Sequence, residues 1–435
     1  MNDEHDDLFR KITRFALPAI ILVFYLTATL HFGNTPDSTY TEILRIEHRV
    51  MHSDGTTPGV PWTLLIGLGE RLHLDPLLVA KVLSLFFSCV VIMFGFLVAQ
   101  QILMDRLLGF SAALLVAVQP WLLQLAGSGS SMPLAAALTL ATLFFMLRNE
   151  YLLAAVFAGV CGLSHWQGAV LLLFVAADAL VNSLSVRRGI KVAASVLMIG
   201  VATWLPWILY ASTMGDGGLV PIVIPVEQLQ PPSLPVAIVL ALACLLILVA
   251  SILGLRAGSE LRPLFRMHAV PFALLVWLAV AGFQDWTFAI AGLLMLFAYA
   301  MLAVRVLLMI TNRERTLYAT SFVLVGLILA TSQWDFHSRI VPSMHAETIQ
   351  AQELVAIAYW IRSHASDSTV VASERAPILA YYSGKDILLE NNGVAELIVA
   401  SSAPSTEYRM IFDPGAEHPG QFIGATTHWK MWRKI

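Results

Sequence analysis

This chain has little charge for its length: only 13% of its 435 residues are Asp, Glu, Lys or Arg, while 58% are hydrophobic. A soluble globular domain carries about 25% charged residues, so that class is excluded. The net charge of -3 gives no electrostatic footprint for nucleic acid. Cysteine is scarce as well. Cys89, Cys161 and Cys244 all fall inside apolar segments, which leaves neither a disulfide framework nor a zinc cluster. The first apolar run ends at His31-Phe32-Gly33 without a small-residue cleavage site, so the expected N-terminal segment is a retained anchor. There is also no tandem repeat and no low-complexity linker.

What the chain does have is apolar sequence in runs longer than the roughly 20 residues that cross a bilayer, with a mean hydropathy of +0.75. Hydropathy and helix breakers predict about eleven spans, near 13–32, 77–103, 107–126, 132–148, 150–164, 166–184, 190–212, 235–255, 269–284, 286–309 and 316–332. With the N-terminus inside, the cytoplasmic connections hold Arg106, Arg148, Arg187, Arg188, Lys191, Arg256, Arg262, Arg266, Arg313 and Arg315. The opposite short loops hold no Lys or Arg, as the positive-inside rule requires. An odd number of spans then puts the C-terminus outside.

After residue 340 the pattern changes to that of a small α/β unit, which divides the chain into a membrane domain over 1–340 and an extracytoplasmic domain over 341–435. A helix with apolar spacing at Leu354, Ile357, Ala358 and Ile361 precedes a strand over 369–372. A short helix over 377–382 ends at Gly384; a strand over 386–389, a helix over 394–401 and a strand over 408–412 complete the pattern.

The long first external loop, 33–76, concentrates the chemistry. Asp37 stands where the first span leaves the bilayer, a place where a carboxylate usually has a partner or a task. Ile43, Ile46 and Val50 then recur at helical spacing, which describes an amphipathic helix suited to lie in the interface plane. A Pro58-Gly59-Val60-Pro61-Trp62 turn and a more apolar segment over 64–74 follow.

The order of these parts carries a resemblance. One span, an Asp37-Ser38-x-x-Tyr40 loop, an amphipathic helix, a Gly-x-x-Pro-Gly-x-Pro-Trp turn ending at Trp62, and an apolar juxtamembrane helix resemble the GT-C glycosyltransferases. That group includes protein O-mannosyltransferases and aminoarabinose transferases. The span with Pro120 before the 127–131 turn, the glycine-rich run from Ala158 to His165, and Tyr381-Tyr382-Ser383-Gly384 continue the likeness over nearly the whole chain. It departs in two places: His165 stands where the family often has arginine, and Gln284-Asp285-Trp286 where many members show Arg-Tyr.

The resemblance implies a polytopic α-helical membrane protein of GT-C architecture with a small C-terminal α/β domain. It would transfer a sugar from a polyprenyl-phosphate donor to a lipid, glycan or protein acceptor at the extracytoplasmic face of the cell membrane. Asp37 would be the general base, since an inverting transfer needs one carboxylate within reach of the acceptor proton. Tyr40, Glu42, His165, Asp285 and Arg339 are the candidate substrate contacts, His165 and Arg339 standing in as phosphate donors. No cofactor is implied, and a divalent metal is left open.

Each candidate has a plainer alternative. Asp37 also suits a helix N-cap, Glu47 the solvated face of an interfacial helix, His165 with Trp166 an interfacial anchor, and Arg339 a juxtamembrane anchor. His48 and His52 have metal spacing but no acidic third ligand, so headgroup contact is preferred. Lys81, at a span edge, either snorkels or meets phosphate; Asp178 faces the cytoplasmic end of its span. The proline-rich loop over 212–234 has the composition of a lid. The rival function is a non-catalytic GT-C-fold protein or a transporter of lipid-linked substrates, although no inverted repeat supports transport.

Overall fold

The structure is a computed structural model. It describes residues 2–29, 39–40, 43–44, 60–164, 168–183, 185–214, 270–271, 273–274, 277, 286–310, 341–366, 368–388, 395–402, 404, 408–414 and 428–434, with single positions at 323, 326, 327, 330, 334 and 338.

Ten helices are described before residue 341: α1 (Asn2–Thr29), α2 (Val60–Arg71), α3 (Pro76–Leu103), α4 (Arg106–Ala117), α5 (Pro120–Ser128), α6 (Met132–Leu147), α7 (Tyr151–Ser164), α8 (Ala169–Asn182), α9 (Val186–Met214) and α10 (Trp286–Ile310). The central element is α3, which packs against α1, α2, α4, α5, α6 and α10. Its start is written in Asp75-Pro76: the Asp75 carboxylate accepts the Leu77 N–H at 2.9 Å, and the proline takes the first position, where no donor is needed. Asp105 caps α4 in the same way, accepting from Leu107 and Leu108.

Small residues set the close approach of α7, α8 and α9. Gly168 lies so near the Cys161 backbone that an added Cβ would stand 2.6 Å from its carbonyl carbon. The Trp204 indole on α9 lies over Gly162 and donates to the Gly159 carbonyl at 2.8 Å. On α3, Leu78, Val82 and Phe86 recur every fourth residue and are more than half exposed, as are Leu64 and Leu68 on α2. An apolar stripe facing outward on an already apolar helix is what hydrocarbon contact requires.

Two helices, Pro76–Leu103 and Val186–Pro206, are long and apolar enough to cross a membrane. Arg106–Ala117 and Leu122–Ser128 raise this to three if the bent pair is one span. The expected count of eleven is therefore not reached among the described residues. One reason is visible at the expected 107–126 span, which breaks into α4 and α5 with a 58° bend. Gln119, ahead of Pro120, is extended at φ -66° and ψ 123°, because a proline excludes the helical conformation from the residue before it. The spans expected over 132–148, 150–164 and 166–184 correspond to helices of 16, 14 and 14 residues. The expected span 235–255 and the loop 212–234 beyond Met214 lie outside the described residues, as do most positions of 269–284 and 316–332.

The remaining elements are α11 (Val341–His364), β1 (Val371–Ser373), α12 (Ala376–Ser383), β2 (Ile387–Leu388), β3 (Leu397–Ala400), β4 (Tyr408–Phe412) and β5 (Lys430–Lys434). They form a five-stranded sheet in the order β2-β1-β3-β5-β4, with β1 parallel to β2 and β3, and β5 antiparallel to β3 and β4. Leu354, Ile357, Ala358 and Ile361 of α11 are fully buried against Val371, Leu397, Val399 and Met431. Ala372 and Ile398, the alternate residues, join a second cluster with Tyr408, so the sheet is covered on both faces.

One expected element is corrected. Residues 394–401 were expected to be a helix, and Leu397–Ala400 is a strand. The segment's Ala, Glu and Leu favour a helix locally, but Ile398 and Val399 occupy a strand between β1 and β5, where pairing on both sides overrides propensity. The buried Glu353 of α11 anchors the approach to β5, accepting from the Trp429 N–H at 3.0 Å and contacting His428 Nδ1 at 2.6 Å.

Candidate functional site

Three separate stretches meet where α3 begins. The first is the turn between α5 and α6. Gly129 takes the left-handed conformation at φ +75°, and Ser128 and Ser130 knit the turn together. Ser128 Oγ donates to the Leu125 carbonyl at 2.8 Å, while the Ser130 and Met132 N–H groups donate to Ser128 Oγ and Ser130 Oγ at 3.1 and 3.2 Å. Ser84 of α3 fastens the turn from the other side by donating to the same Leu125 carbonyl at 2.5 Å. The turn leads into the N-terminus of α6, whose positive dipole end favours an anion, although its first N–H groups are taken up by Ser130 Oγ and the Ser131 carbonyl.

The second stretch is Thr39-Tyr40. Thr39 is buried and its hydroxyl is directed at the Ser128 carbonyl, 3.5 Å away. The third is the first turns of α3, with Ala80 and Lys81. A Cβ built on Gly129 would lie 3.2 Å from Thr39 Cγ2, 3.4 Å from Ala80 Cβ and 3.5 Å from Lys81 Cγ. Lys81 is half-buried, and its stem is held against the turn.

The C-terminal unit closes over this point through two adjacent tyrosines on α12. Tyr381 donates to Asp75 Oδ1 at 3.0 Å. The Tyr382 and Tyr40 hydroxyls lie 3.4 Å apart, and the Tyr40 ring sits 5.3 Å from that of Tyr381 and 5.9 Å from that of Tyr382. Tyr40 belongs to the core of the C-terminal unit, whereas Ile43, three residues on, belongs to the core of the helical part. The first loop is thus packed into both.

Of the expected site residues, Tyr40 is among those described, and it is buried and engaged with the two tyrosines. Asp37, Glu42, His165, Asp285 and Arg339 lie outside the described residues, as do Glu47, His48 and His52. Asp37 is two positions before Thr39, and two residues of chain reach at most about 7 Å. Among the described residues no group of three or more His, Cys, Asp or Glu could hold a metal ion. Asp178 is not a site residue by geometry: it is buried, accepting from Tyr151 at 3.2 Å and Asn182 at 3.0 Å. Tyr151 begins α7 and Asn182 ends α8. Those are the ends opposite to Gly168 and the α5–α6 turn.

Asp75 was missed in the sequence, and the 127–131 turn was noted without a role in the site. Asp75 was detectable from its Asp-Pro pairing ahead of an apolar run, a helix-start signature. The Ser128-Gly129-Ser130 turn had only its glycine as a signal, and nothing local says that it meets Lys81.

No family model matches the chain, and no curated protein matches it in sequence. Solved structures do match its fold. It is similar to ArnT from Cupriavidus metallidurans bound to undecaprenyl phosphate, with a TM-score of 0.61 and 13% identity, over 96% of this chain and 97% of that one. It is also similar to the archaeal oligosaccharyltransferase AglB from Archaeoglobus fulgidus, in complex with an inhibitory peptide and a dolichol-phosphate, with a TM-score of 0.57 and 13% identity over 88% of this chain. That match covers 65% of the AglB chain, just under two thirds of its length. The likeness is one of fold, and it agrees with the architecture that the order of motifs led us to expect.

Proposed function

We propose that this chain, built on a GT-C fold, transfers a sugar from a polyprenyl-phosphate donor to an acceptor at the extracytoplasmic membrane face. The observation that carries the proposal is the convergence of Thr39, two residues from Asp37, with Lys81 and the Gly129 turn. Thr39 of the loop that follows Asp37, a half-buried lysine and a helix N-terminus meet at the start of an apolar helix. That combination suits an anionic lipid headgroup and a base acting next to it. The fold is shared with structures that hold undecaprenyl phosphate and a dolichol-phosphate.

In this reading Asp37 takes the proton from an acceptor hydroxyl or amine. The freed oxygen or nitrogen bonds to the anomeric carbon as that carbon's bond to the phosphate oxygen breaks. The phosphate leaves with the electron pair, and its growing charge is met by Lys81 and the N-terminus of α6. Tyr40 sets the loop, and Glu42, His165, Asp285 and Arg339 are assigned to sugar, acceptor and phosphate contacts. The orientation proposed is a cytoplasmic N-terminus and an external unit over 341–435.

The test is lipid-phosphate binding. Undecaprenyl phosphate or dolichyl phosphate at about 100 times its Kd should stabilise the full chain in nanodiscs by about 2.7 kcal/mol, and Lys81→Ala should abolish most of that gain. Equal stabilisation of wild type and variant would remove Lys81 from the site; no stabilisation of the wild type would contradict the reading.

A further inference from the structure

We propose that Tyr381 and Tyr382 form a two-armed latch by which the C-terminal unit positions both halves of the transfer site. Tyr382 holds the loop that follows Asp37, and Tyr381 holds the Asp75–Lys81 end of α3. The catalytic side of this inference rests on the function proposed above; the latch itself does not.

The geometry begins with α12. It is an eight-residue helix that stops at Gly384, whose left-handed φ of 73° ends it cleanly. Successive residues on a helix point about 100° apart, so the hydroxyls of neighbouring tyrosines diverge even where the rings share a neighbour. Their rings stand at 89° with centroids 5.0 Å apart. One hydroxyl reaches Asp75 and the other reaches Tyr40. Tyr40 lies against both rings and is only 4% exposed.

Each arm ends on a residue that acts on something else. Tyr381 donates to Asp75 Oδ1, the same oxygen that accepts the Leu77 N–H and caps α3. Lys81 follows six positions later on the same helix. A tyrosine hydrogen bond to the Asp75 carboxylate fixes its rotamer, and so fixes the start of the helix that carries Lys81. On the other arm, Tyr40 follows Thr39, which is seated against the Gly129 turn. Deleting the Tyr382 hydroxyl loosens Tyr40 on its C-terminal-unit side, while its ring contacts and the buried Thr39, Ile43 and Leu44 continue to hold the loop. Plain interdomain packing would need the rings but not these two hydroxyl bonds, and the hydroxyls are what the test removes.

Tyr381→Phe and Tyr382→Phe keep the rings and delete one hydroxyl each. The full-length variants are compared with wild type in nanodiscs by hydrogen exchange, thermal unfolding, undecaprenyl phosphate titration and sugar transfer. In Tyr382→Phe, exchange in peptides covering 39–44 should rise by about tenfold, the scale of one lost hydrogen bond, and kcat should fall with KM little changed. In Tyr381→Phe, exchange at 75–81 should rise, and the lipid donor's KM and Kd should increase several-fold with kcat little changed. Exchange in α7 and α8 and the global unfolding midpoint should stay at the wild-type values in both. Unchanged exchange in 39–44 and 75–81 overturns the latch, as does a uniform fall in midpoint without the kinetic split in an active enzyme. Raised local exchange in a protein that binds no lipid phosphate supports the latch and contradicts the transfer reading instead.

Discussion

Gly129 and Thr39 are in van der Waals reach across 90 residues of chain: a Cβ on Gly129 would stand 3.2 Å from Thr39 Cγ2. This contact places the first loop against the α5–α6 turn, and a methyl group there would push Thr39 back by a few tenths of an ångström. Gly129→Ala adds a methyl group there and forces an L residue into φ +75°, a strain of about 1 kcal/mol. The predicted result is a lower unfolding midpoint together with weaker undecaprenyl phosphate binding, measured on the same nanodisc sample. Loss of stability with unaltered binding would detach the turn from the site.

The α7–α9 contact should be intolerant of volume. Gly162→Ala would bring a Cβ to 2.7 Å from Trp204 Cζ2 and 3.2 Å from the Ala169 backbone nitrogen. The ring can tilt but the backbone cannot move freely, so the expected destabilisation is about 1–3 kcal/mol. Chemical or thermal unfolding monitored by circular dichroism measures it.

The Asp178 cluster should matter for stability and not for transfer. Tyr151→Phe removes a donor that Asp178, 2% exposed, shares with Asn149 Oδ1, with an expected loss of about 1–3 kcal/mol. Because α7, 14 residues long, separates the cluster from the site by about 20 Å, donor KM and kcat should not change. A changed KM would show coupling that the packing does not explain.

Glu353 should hold the end of the sheet. It is 1% exposed and accepts from the Trp429 backbone while contacting His428. Glu353→Ala leaves a buried N–H without its acceptor, at about 1–3 kcal/mol. Faster hydrogen exchange should appear in 428–434 first, because β5 joins β3 to β4.

Much of this fold was readable because its signals are local. Leu354, Ile357, Ala358 and Ile361 recur at helical spacing and are all buried in α11. Gly384 ends α12 where expected, and Tyr408–Phe412 is the strand its β-rich composition indicates. The errors arose where tertiary pairing decides. Leu397–Ala400 became a strand between two neighbours, and Lys430–Lys434 was not expected at all, since its three basic residues hide the pairing of Met431 with Val399. Pro120 was noted before its turn, but the 58° bend that divides α4 from α5 was not anticipated.

The site was legible only in part. Tyr40 and the Tyr381-Tyr382 pair were both singled out from the sequence, yet their meeting depends on a separation of 342 positions that no local pattern encodes. Lys81 was left between two roles, because a lysine at a span edge snorkels or binds according to what stands beside it. The Gly129 turn holds its stem, and its contact with phosphate is part of the proposal. Asp37, Glu42, His165, Asp285 and Arg339 keep their roles as proposals.

The most direct measurement is sugar transfer by the Asp37→Asn variant in proteoliposomes supplied with a polyprenyl-phosphate sugar and an acceptor. Asparagine keeps the shape of the side chain and removes its basicity. If Asp37 is the general base, kcat should fall by about 10²–10⁴-fold, with undecaprenyl phosphate binding retained through Lys81. Transfer at the wild-type rate by Asp37→Asn would contradict the account.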